Sequence, residues 1–492
     1  MVKLMTILVG IDLGTSSIKA LGFNTNGDKI FEYHNNISLI TFSNRLNWFE
    51  QNPKEILNNV VKLIKNICSR YRSEEIIIGF SSTSPSLVPL DEKGEPLYNV
   101  IAWMDRRACE ETSELDEKIG KDNIYFKTGL HLDPLFTAVK ILWLKKNRPD
   151  IFSKTRYFVQ VKDYVFYNLT GEPVTDYSHI SETLLYKIDG RWFDELLNVI
   201  DITPDRLFTP DFSEKIFEPS RNLRELINSR KDGLRIALGG VDSVVSTIGA
   251  GAIAENIITD TTGTSSCLDV TISSPILDKL KRFETYFHAI PGKYIIEGAL
   301  PSSGEALDKI LEIIGCSNKS PDEYVAELDL ERPSGIVLLP FFAGTRTPDW
   351  KPELKGVIHG LSLTTSKSEL VKAVMEGVAF WERRVLEDLA ELGIEVSEVR
   401  GVGGGATRYW LQIKANITGI RHAALREKEA SAFGAALIAG KGYNVYKDYN
   451  EIAEKLIKVE KVYEANIDSY RKEEYENYYK LFIKLWSTIT SN

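Results

Sequence analysis

Two short turns in this sequence carry residues suited to phosphate chemistry. The tetrapeptide Gly14-Thr15-Ser16-Ser17 recurs identically as Gly263-Thr264-Ser265-Ser266, about half the chain later. Each copy follows an apolar, β-branched run ending in aspartate, Asp12 in the first and Asp260 in the second, and each precedes another strand-like run. A glycine-containing turn lets backbone N–H groups converge on an anion, and small hydroxyls add donors without bulk. One such turn is an ordinary hairpin, but two of them half a chain apart can close on a nucleotide polyphosphate from both sides. The strand-loop-helix phosphate loop does not apply, because G-x-x-x-x-G-K-[ST] is absent and strands follow both turns. Asp12, at a strand end, is placed to hold Mg2+, which takes one or two carboxylates together with phosphate oxygens.

Four further segments offer hydroxyl and ring chemistry. In Gly239-Gly240-Val241-Asp242-Ser243 a strand runs into glycines and then a helix. Asp242 is either an N-cap of that helix or a carboxylate, kept ionised by the helix end, that accepts a hydroxyl proton as the oxygen attacks phosphorus. Trp103-Met104-Asp105-Arg106-Arg107 pairs a flat indole with a carboxylate, a combination that binds polyols, although a buried tryptophan beside an ion pair reads the same way. Ser81 to Ser86 follows a buried strand and either supplies hydroxyl contacts or turns the chain. Gly401 to Thr407 lets a flat ring lie against bare backbone at the start of the helix Arg408 to Thr418, or is a packing turn. The six histidines show no metal-ligand spacing.

The elements that must position these groups alternate between strand and helix, which predicts an α/β fold. Asn26-Gly27 marks a hairpin, so the chain opens as three antiparallel strands. Helices are predicted from Pro53 to Arg70 and Pro134 to Lys146, and a strand from Ile76 to Phe80. Ser366-Lys367-Ser368-Glu369 forms a capping box at the head of a long helix that Gly393 stops. Near the end, Tyr475, Tyr479, Phe482 and Trp486 share one helix face and read as core. With 492 residues the chain exceeds what one core supports, so two domains are expected, and the repeated turn points to duplication. Hydrophobic residues at 43% and charged residues at 26% are ordinary globular values. A formal charge of -9 gives no general field for nucleic acid or anionic lipid. Cys68, Cys109, Cys267 and Cys316 lie far apart, which suggests neither disulfides nor zinc, and no segment reaches the roughly 20 apolar residues a membrane span needs. A cytoplasmic protein is expected.

The order of these motifs, from about Ile7 to Gly442, resembles the FGGY family of carbohydrate kinases. The residues that carry the resemblance are Gly10 to Ala20, Trp48 to Pro53, Trp103 to Arg107, Thr175 to Ser178, Gly239 to Asp242, Thr262 to Ser265, Glu297 to Gly304, Glu376 to Phe380, Gly403 to Ala406 and Glu429 to Ala436. The resemblance implies two actin/hexokinase-like (ribonuclease H-like) domains, residues 1–253 and 254–492, with ATP in the cleft between them. It implies Asp242 as general base, Asp12 at Mg2+, and Thr15, Ser16, Ser17, Lys19 and Thr264 at the phosphates. Gly304, Asp308, Gly403, Gly404 and Thr407 match the nucleotide pocket, and Trp103, Asp105 and Asp242 would meet the sugar or polyol.

The acceptor is less defined. Glycerol kinases of the family carry an arginine-glutamate pair where this chain has Thr83-Ser84, and xylulose kinases commonly carry methionine-histidine there. The Trp103-x-Asp105 pattern is more similar to the xylulose and gluconate branches, so a ketopentose such as D-xylulose is the favoured acceptor, with Thr83 and Ser84 at the substrate. Gluconate, ribulose and glycerol remain alternatives, a homodimer remains open, and the rival of another class is an actin-like ATPase switch without a small acceptor.

Overall fold

The structure, a computed structural model, describes residues 5–227, 233–315 and 320–491; Cys316 lies outside them. The first half holds β1 (Thr6–Leu13), β2 (Ser17–Phe23), β3 (Lys29–Asn36), helix α1 (Pro53–Arg70), β4 (Glu75–Ser82), helix α2 (Thr137–Asn147), β5 (Ile216–Phe217), β6 (Leu234–Ala237) and helix α3 (Asp242–Gly249). Its main sheet runs β5-β6-β4-β1-β2-β3, with β1 parallel to β4 and antiparallel to β2. The second half holds β7 (Ile257–Thr262), β8 (Ser266–Ile272), β9 (Glu284–Phe287), β10 (Tyr294–Leu300), helix α4 (Gly304–Ile313), helix α5 (Lys367–Glu391), β11 (Glu398–Val402), helix α6 (Arg408–Thr418), β12 (Arg421–Leu425), helix α7 (Ala430–Gly442), β13 (Val459–Tyr463) and helix α8 (Ser469–Thr490). Its sheet runs β13-β12-β11-β7-β8-β10-β9, with β7 parallel to β11 and antiparallel to β8. The two orders superpose strand for strand from β5/β13 to β3/β10, so the duplication extends from the turns to whole sheets.

Local sequence sets these elements. Ile7 to Ile11 is a continuous apolar run because β1 is covered on both faces. On one side α1 presents Ile56, Val60, Leu63, Ile64 and Ile67, a helical-period stripe that joins Ile7, Val9 and Ile11 in one core cluster. Asn52 caps α1 by accepting from Lys54 and Glu55 N–H, and Pro53 starts it. The predicted capping box at Ser366 and Glu369 opens α5. Tyr475, Tyr479, Phe482 and Trp486 on α8 are buried in the second core, as their spacing required.

The other face of β1 meets α7, which comes from late in the chain. The approach is backbone to backbone: a Cβ on Gly10 would lie 1.6 Å from the Ala432 carbonyl oxygen. α3 crosses α7 equally closely, since a Cβ on Gly249 would lie 2.0 Å from the Ala430 carbonyl oxygen. No side chain fits at either crossing, so α3, which begins at Asp242, is locked through α7 to the central strand that carries Asp12.

Candidate functional site

Asp242 is the first residue of α3, with Val241 at the cap position, so its side chain does not cap the helix; among the described residues it accepts only from the adjacent Ser243 N–H, at 2.8 Å. Its placement is inherited from a buried chain of bonds. Lys162 pairs with Asp176, which accepts from the backbone of Ser178 and His179, and the Ser178 hydroxyl accepts from Val241 N–H at 3.0 Å. Burial pushes Asp176 up, but Lys162 and His179 outweigh it and hold the carboxyl ionised, well below its usual range. Burial, then the nearby negative charge of Asp12, raises Asp242 to about 7. A carboxylate titrating near neutrality at a helix start is suited to accept a hydroxyl proton.

Asp12 ends β1 opposite Ser81 of β4, whose hydroxyl donates to Oδ1 at 2.7 Å. Burial raises Asp12 to about 6, against the pull of Ser81 and Lys19. In the first turn Gly14 N–H donates to Ser17 carbonyl oxygen at 2.9 Å, and the Thr15 hydroxyl accepts from Trp103 Nε1 at 3.0 Å. Ser16 and Ser17 are at the tip, and Lys19 pairs with Glu429 at 2.7 Å. In the second turn Gly263 N–H donates to Ser265 carbonyl oxygen at 2.8 Å. The start of α4 packs directly on it: Gly304 N–H donates to Gly263 carbonyl oxygen at 3.0 Å, and a Cβ on Gly304 would lie 2.2 Å from that oxygen.

A chamber of about 320 Å3 opens between the two turns. Thr15 and Thr264 line it from opposite halves, with Asp242, Thr83, Ser84 and Trp103 between them. Ser84 donates to Gln160 at 2.9 Å, and Thr83 N–H donates to the Leu13 carbonyl oxygen at 3.1 Å. An outer chamber of about 850 Å3 continues past Trp103 toward Tyr125, His131 and Trp350. Contacts between halves wall it: the His131 and Trp350 rings stack 3.6 Å apart, and Thr285 N–H donates to the Gly129 carbonyl oxygen at 2.8 Å.

One expectation is corrected. Asp105 is fully buried, and both oxygens are taken, by Phe49 N–H at 2.6 Å and by the Arg107 guanidinium at 2.8 and 2.9 Å. It lines neither chamber and instead fixes the loop that presents Trp103. The glycine-rich expectations lie apart from both chambers. Gly403, in the left-handed region at φ 79°, approaches the Thr262 carbonyl oxygen, and Gly404 faces open space. Thr407 caps α6 and donates to Asp322 at 2.8 Å, while Asp308 is exposed on α4.

Sequence reasoning overlooked the carboxylates and the guanidinium of the inner chamber. Glu182, Glu284 and Glu297 are buried there beside Arg346. Burial, then Glu297, raises Glu182 well above the usual range; burial, then Glu284, raises Glu297. A charged residue inside an otherwise apolar strand, Glu284 in β9 and Glu297 in β10, was the available signal. Among the described residues no group of three His, Cys, Asp or Glu side chains could hold a metal ion by itself, and no helix is long and apolar enough to cross a membrane.

The site can now be set beside known proteins. The N-terminal domain model of the FGGY family of carbohydrate kinases matches residues 7–249, and the C-terminal domain model matches residues 260–443. A xylulose kinase of Staphylococcus xylosus is 26% identical over 95% of this chain and 98% of its own. A glycerol kinase of Thermococcus kodakarensis is 30% identical over 95% of this chain and 94% of its own. The crystal structure of gluconate kinase from Lactobacillus acidophilus superposes with a TM-score of 0.90 at 24% identity, covering 98% of each chain. These matches span the duplicated sheets and both turns, and the protein therefore belongs to the FGGY family of carbohydrate kinases, phosphotransferases of the actin/hexokinase-like fold.

Proposed function

We propose that the protein transfers the γ-phosphoryl group of ATP to a terminal hydroxyl of a neutral sugar or polyol, with a ketopentose such as D-xylulose as the favoured acceptor. The observation that carries this reading is the inner chamber, where Asp242 stands with one hydroxyl-bearing turn from each half. The acceptor hydroxyl oxygen bonds to phosphorus as its proton passes to Asp242, and the bond from phosphorus to the oxygen bridging the β- and γ-phosphates breaks, giving sugar phosphate and ADP. Thr15 and Thr264, with the backbone N–H groups of both turns, hold the phosphates, and Lys19 joins them by exchanging Glu429 for a phosphate oxygen. Gly404 faces open space and leaves room for the nucleotide beside the second turn, while Gly304 and Gly403 let the neighbouring backbone close up to that turn. Asp12, one of whose oxygens accepts no hydrogen bond among the described residues, would hold Mg2+, which when bound neutralises the charge developing on the phosphate oxygens. Closure of residues 1–253 on 254–492 about the α3–α7 crossing would exclude water as acceptor.

The acidic lining bears on the acceptor. Glu182, Asp242, Glu284 and Glu297 share the chamber with Arg346, and an aldonate would bring one more carboxylate into a site where burial and mutual repulsion already raise Glu182, Asp242 and Glu297, a cost that a ketose or polyol does not incur. For glycerol, this chain has Thr83-Ser84 in place of the arginine-glutamate pair that glycerol kinases of the family carry. Asp242→Asn tests the assignment: ADP release with D-xylulose should fall by orders of magnitude while ATP still binds, and near-normal turnover would overturn the role of the base.

A further inference from the structure

Resting on that reading, we propose that Arg346 determines acceptor specificity by gripping the vicinal oxygens of a ketol group at the end of the substrate remote from the transferred phosphoryl. The two chambers meet at Trp103, Leu135, Ser265, Cys267 and Arg346. Trp103 is tied to Thr15 through its indole N–H, so its ring is a fixed wall. Arg346 is the charged residue at this junction. Apart from lying over the Trp350 ring at 5.6 Å, its guanidinium makes no hydrogen bond or ion pair among the described residues.

A guanidinium carries five N–H donors in a planar fork, and leaving them without acceptors in a partly enclosed site is costly unless a ligand supplies oxygens. The loop beneath it is rigid. Thr347 N–H donates to the Ala299 carbonyl oxygen at 3.1 Å, its hydroxyl accepts from Ala299 N–H at 3.0 Å, and Trp381 Nε1 donates to its carbonyl oxygen at 2.9 Å. The backbone that carries Arg346 is thus tied to β10 and α5. The carboxylates that face it, Glu284 and Glu297 in the inner chamber and Asp133 in the outer one, keep it charged without reaching ion-pair distance.

The distribution of groups fixes which end of an acceptor reaches Arg346. The reacting hydroxyl must lie at Asp242, between the turns, and the chain of the acceptor then extends toward the chamber junction. A planar fork matches two adjacent, nearly coplanar oxygens better than it matches one. In a ketose phosphorylated at its far hydroxyl, the carbonyl and the neighbouring hydroxyl form such a pair; in the corresponding alditol the carbonyl acceptor is replaced by a tetrahedral carbinol.

The test measures ADP release by the full chain and its Arg346→Met and Arg346→Lys variants, with D-xylulose and with xylitol as acceptors. For the wild-type protein a higher kcat/KM with D-xylulose than with xylitol is expected. Arg346→Met should raise the KM for D-xylulose about tenfold or more and leave the KM for ATP unchanged, so the preference for the ketose collapses. Arg346→Lys restores the charge but not the fork and should recover less than half of that preference on a logarithmic scale. Unchanged KM for D-xylulose in both variants overturns the assignment of Arg346. A wild-type protein that phosphorylates xylitol as well as D-xylulose, or only acceptors without a ketol, overturns the ketol reading and leaves the kinase reading standing. A wild-type protein that releases no ADP above water hydrolysis with any sugar or polyol overturns the proposed function itself. If Arg346→Met does not fold, Arg346→Lys and calorimetric titration of D-xylulose onto the wild type and that variant carry the same comparison.

Discussion

Asp12 and Asp260 lie near the ends of the central strands in two copies of one strand-turn-strand unit, but Asp12 stands two residues before its turn glycine and Asp260 three, and this one-residue offset turns the two side chains to opposite faces of their sheets. Around Asp12 the structure places one hydroxyl donor, Ser81, and the nearest cation, Lys19, is paired with Glu429. Around Asp260 it builds a closed network. Buried Lys414 pairs with Asp260 and, at 3.2 Å, with Glu382, which accepts from His422 at 2.6 Å; the Thr262 hydroxyl donates to Asp260 at 2.7 Å. The aspartates are not equivalent copies: Asp260 faces the helix that carries Lys414 and is paired there, whereas Asp12 is left open toward the cleft. The difference teaches that the repeat sets the phosphate turns, but the side chains entering from neighbouring helices decide which half can also offer a carboxylate to a cation.

The largest expected effect separates the two by substitution. Asp260→Asn leaves Lys414 buried with less opposing charge, and removing one partner of such a pair costs about 3–5 kcal/mol. Chemical denaturation should show that loss. Asp12→Asn has no partner to orphan, so stability should hold or rise, while turnover falls about a hundredfold. Equal losses of stability at both positions would erase the distinction.

The pH dependence should sharpen it. The native state holds Asp12 at about 6 and Asp242 at about 7, against an ordinary aspartate value near 4. The folded protein therefore binds more protons than the unfolded chain between about pH 4 and 7, and these two groups make stability fall as pH rises through that window. In the second half burial also raises Asp260, against the pull of Lys414, but its network partner Glu382 runs the other way. Burial pushes Glu382 up, but Lys414 and His422 outweigh it and hold it at about 2, so its contribution is present above the ordinary glutamate value and is lost as pH falls toward 2. For catalysis, kcat/KM should drop about tenfold per pH unit below 7 as Asp242 takes up its proton. In Asp12→Asn the residual activity should show that limb at lower pH, since the charge that raises Asp242 is gone. A limb that stays in place would break the electrostatic link between the two residues.

What could be read from residues alone followed the range of the interactions. The helices Pro53–Arg70 and Arg408–Thr418 matched their predicted bounds because caps and stop signals are local. The repeated turns identified the duplication for the same reason. Asp105 was misread because Arg107, two residues on, can point to solvent or fold back, and the buried pairing also depends on a distant partner, Phe49 N–H. Lys414, Lys140 and Arg346 escaped notice because their surroundings come from distant segments. Lys140 sits within the buried run Ala138 to Leu144, where periodicity marks a core face and says nothing of which carbonyls a buried ammonium will find.

Lys140 provides the smallest and most specific prediction. Like Lys414 it is a fully buried lysine, but it makes no ion pair among the described residues and donates instead to the Pro85 and Ala102 carbonyl oxygens, at 2.9 and 2.8 Å. Those carbonyls adjoin Ser84 and Trp103, so one ammonium ties together the two loops that face the acceptor. Burial pulls Lys140 down to about 7, while Asp260 and Glu382 outweigh burial at Lys414 and hold it up. The first half thus uses its buried lysine to position loops and the second to neutralise a carboxylate. Lys140→Met should raise the KM for the acceptor about three- to tenfold, with the KM for ATP unchanged, and cost about 1–3 kcal/mol through the two carbonyls left without donors. Lys140→Arg, which keeps the donors, should recover part of the acceptor KM. A variant that loses stability with an unaltered acceptor KM would make Lys140 a structural counterpart of Lys414 and remove this contrast between the halves.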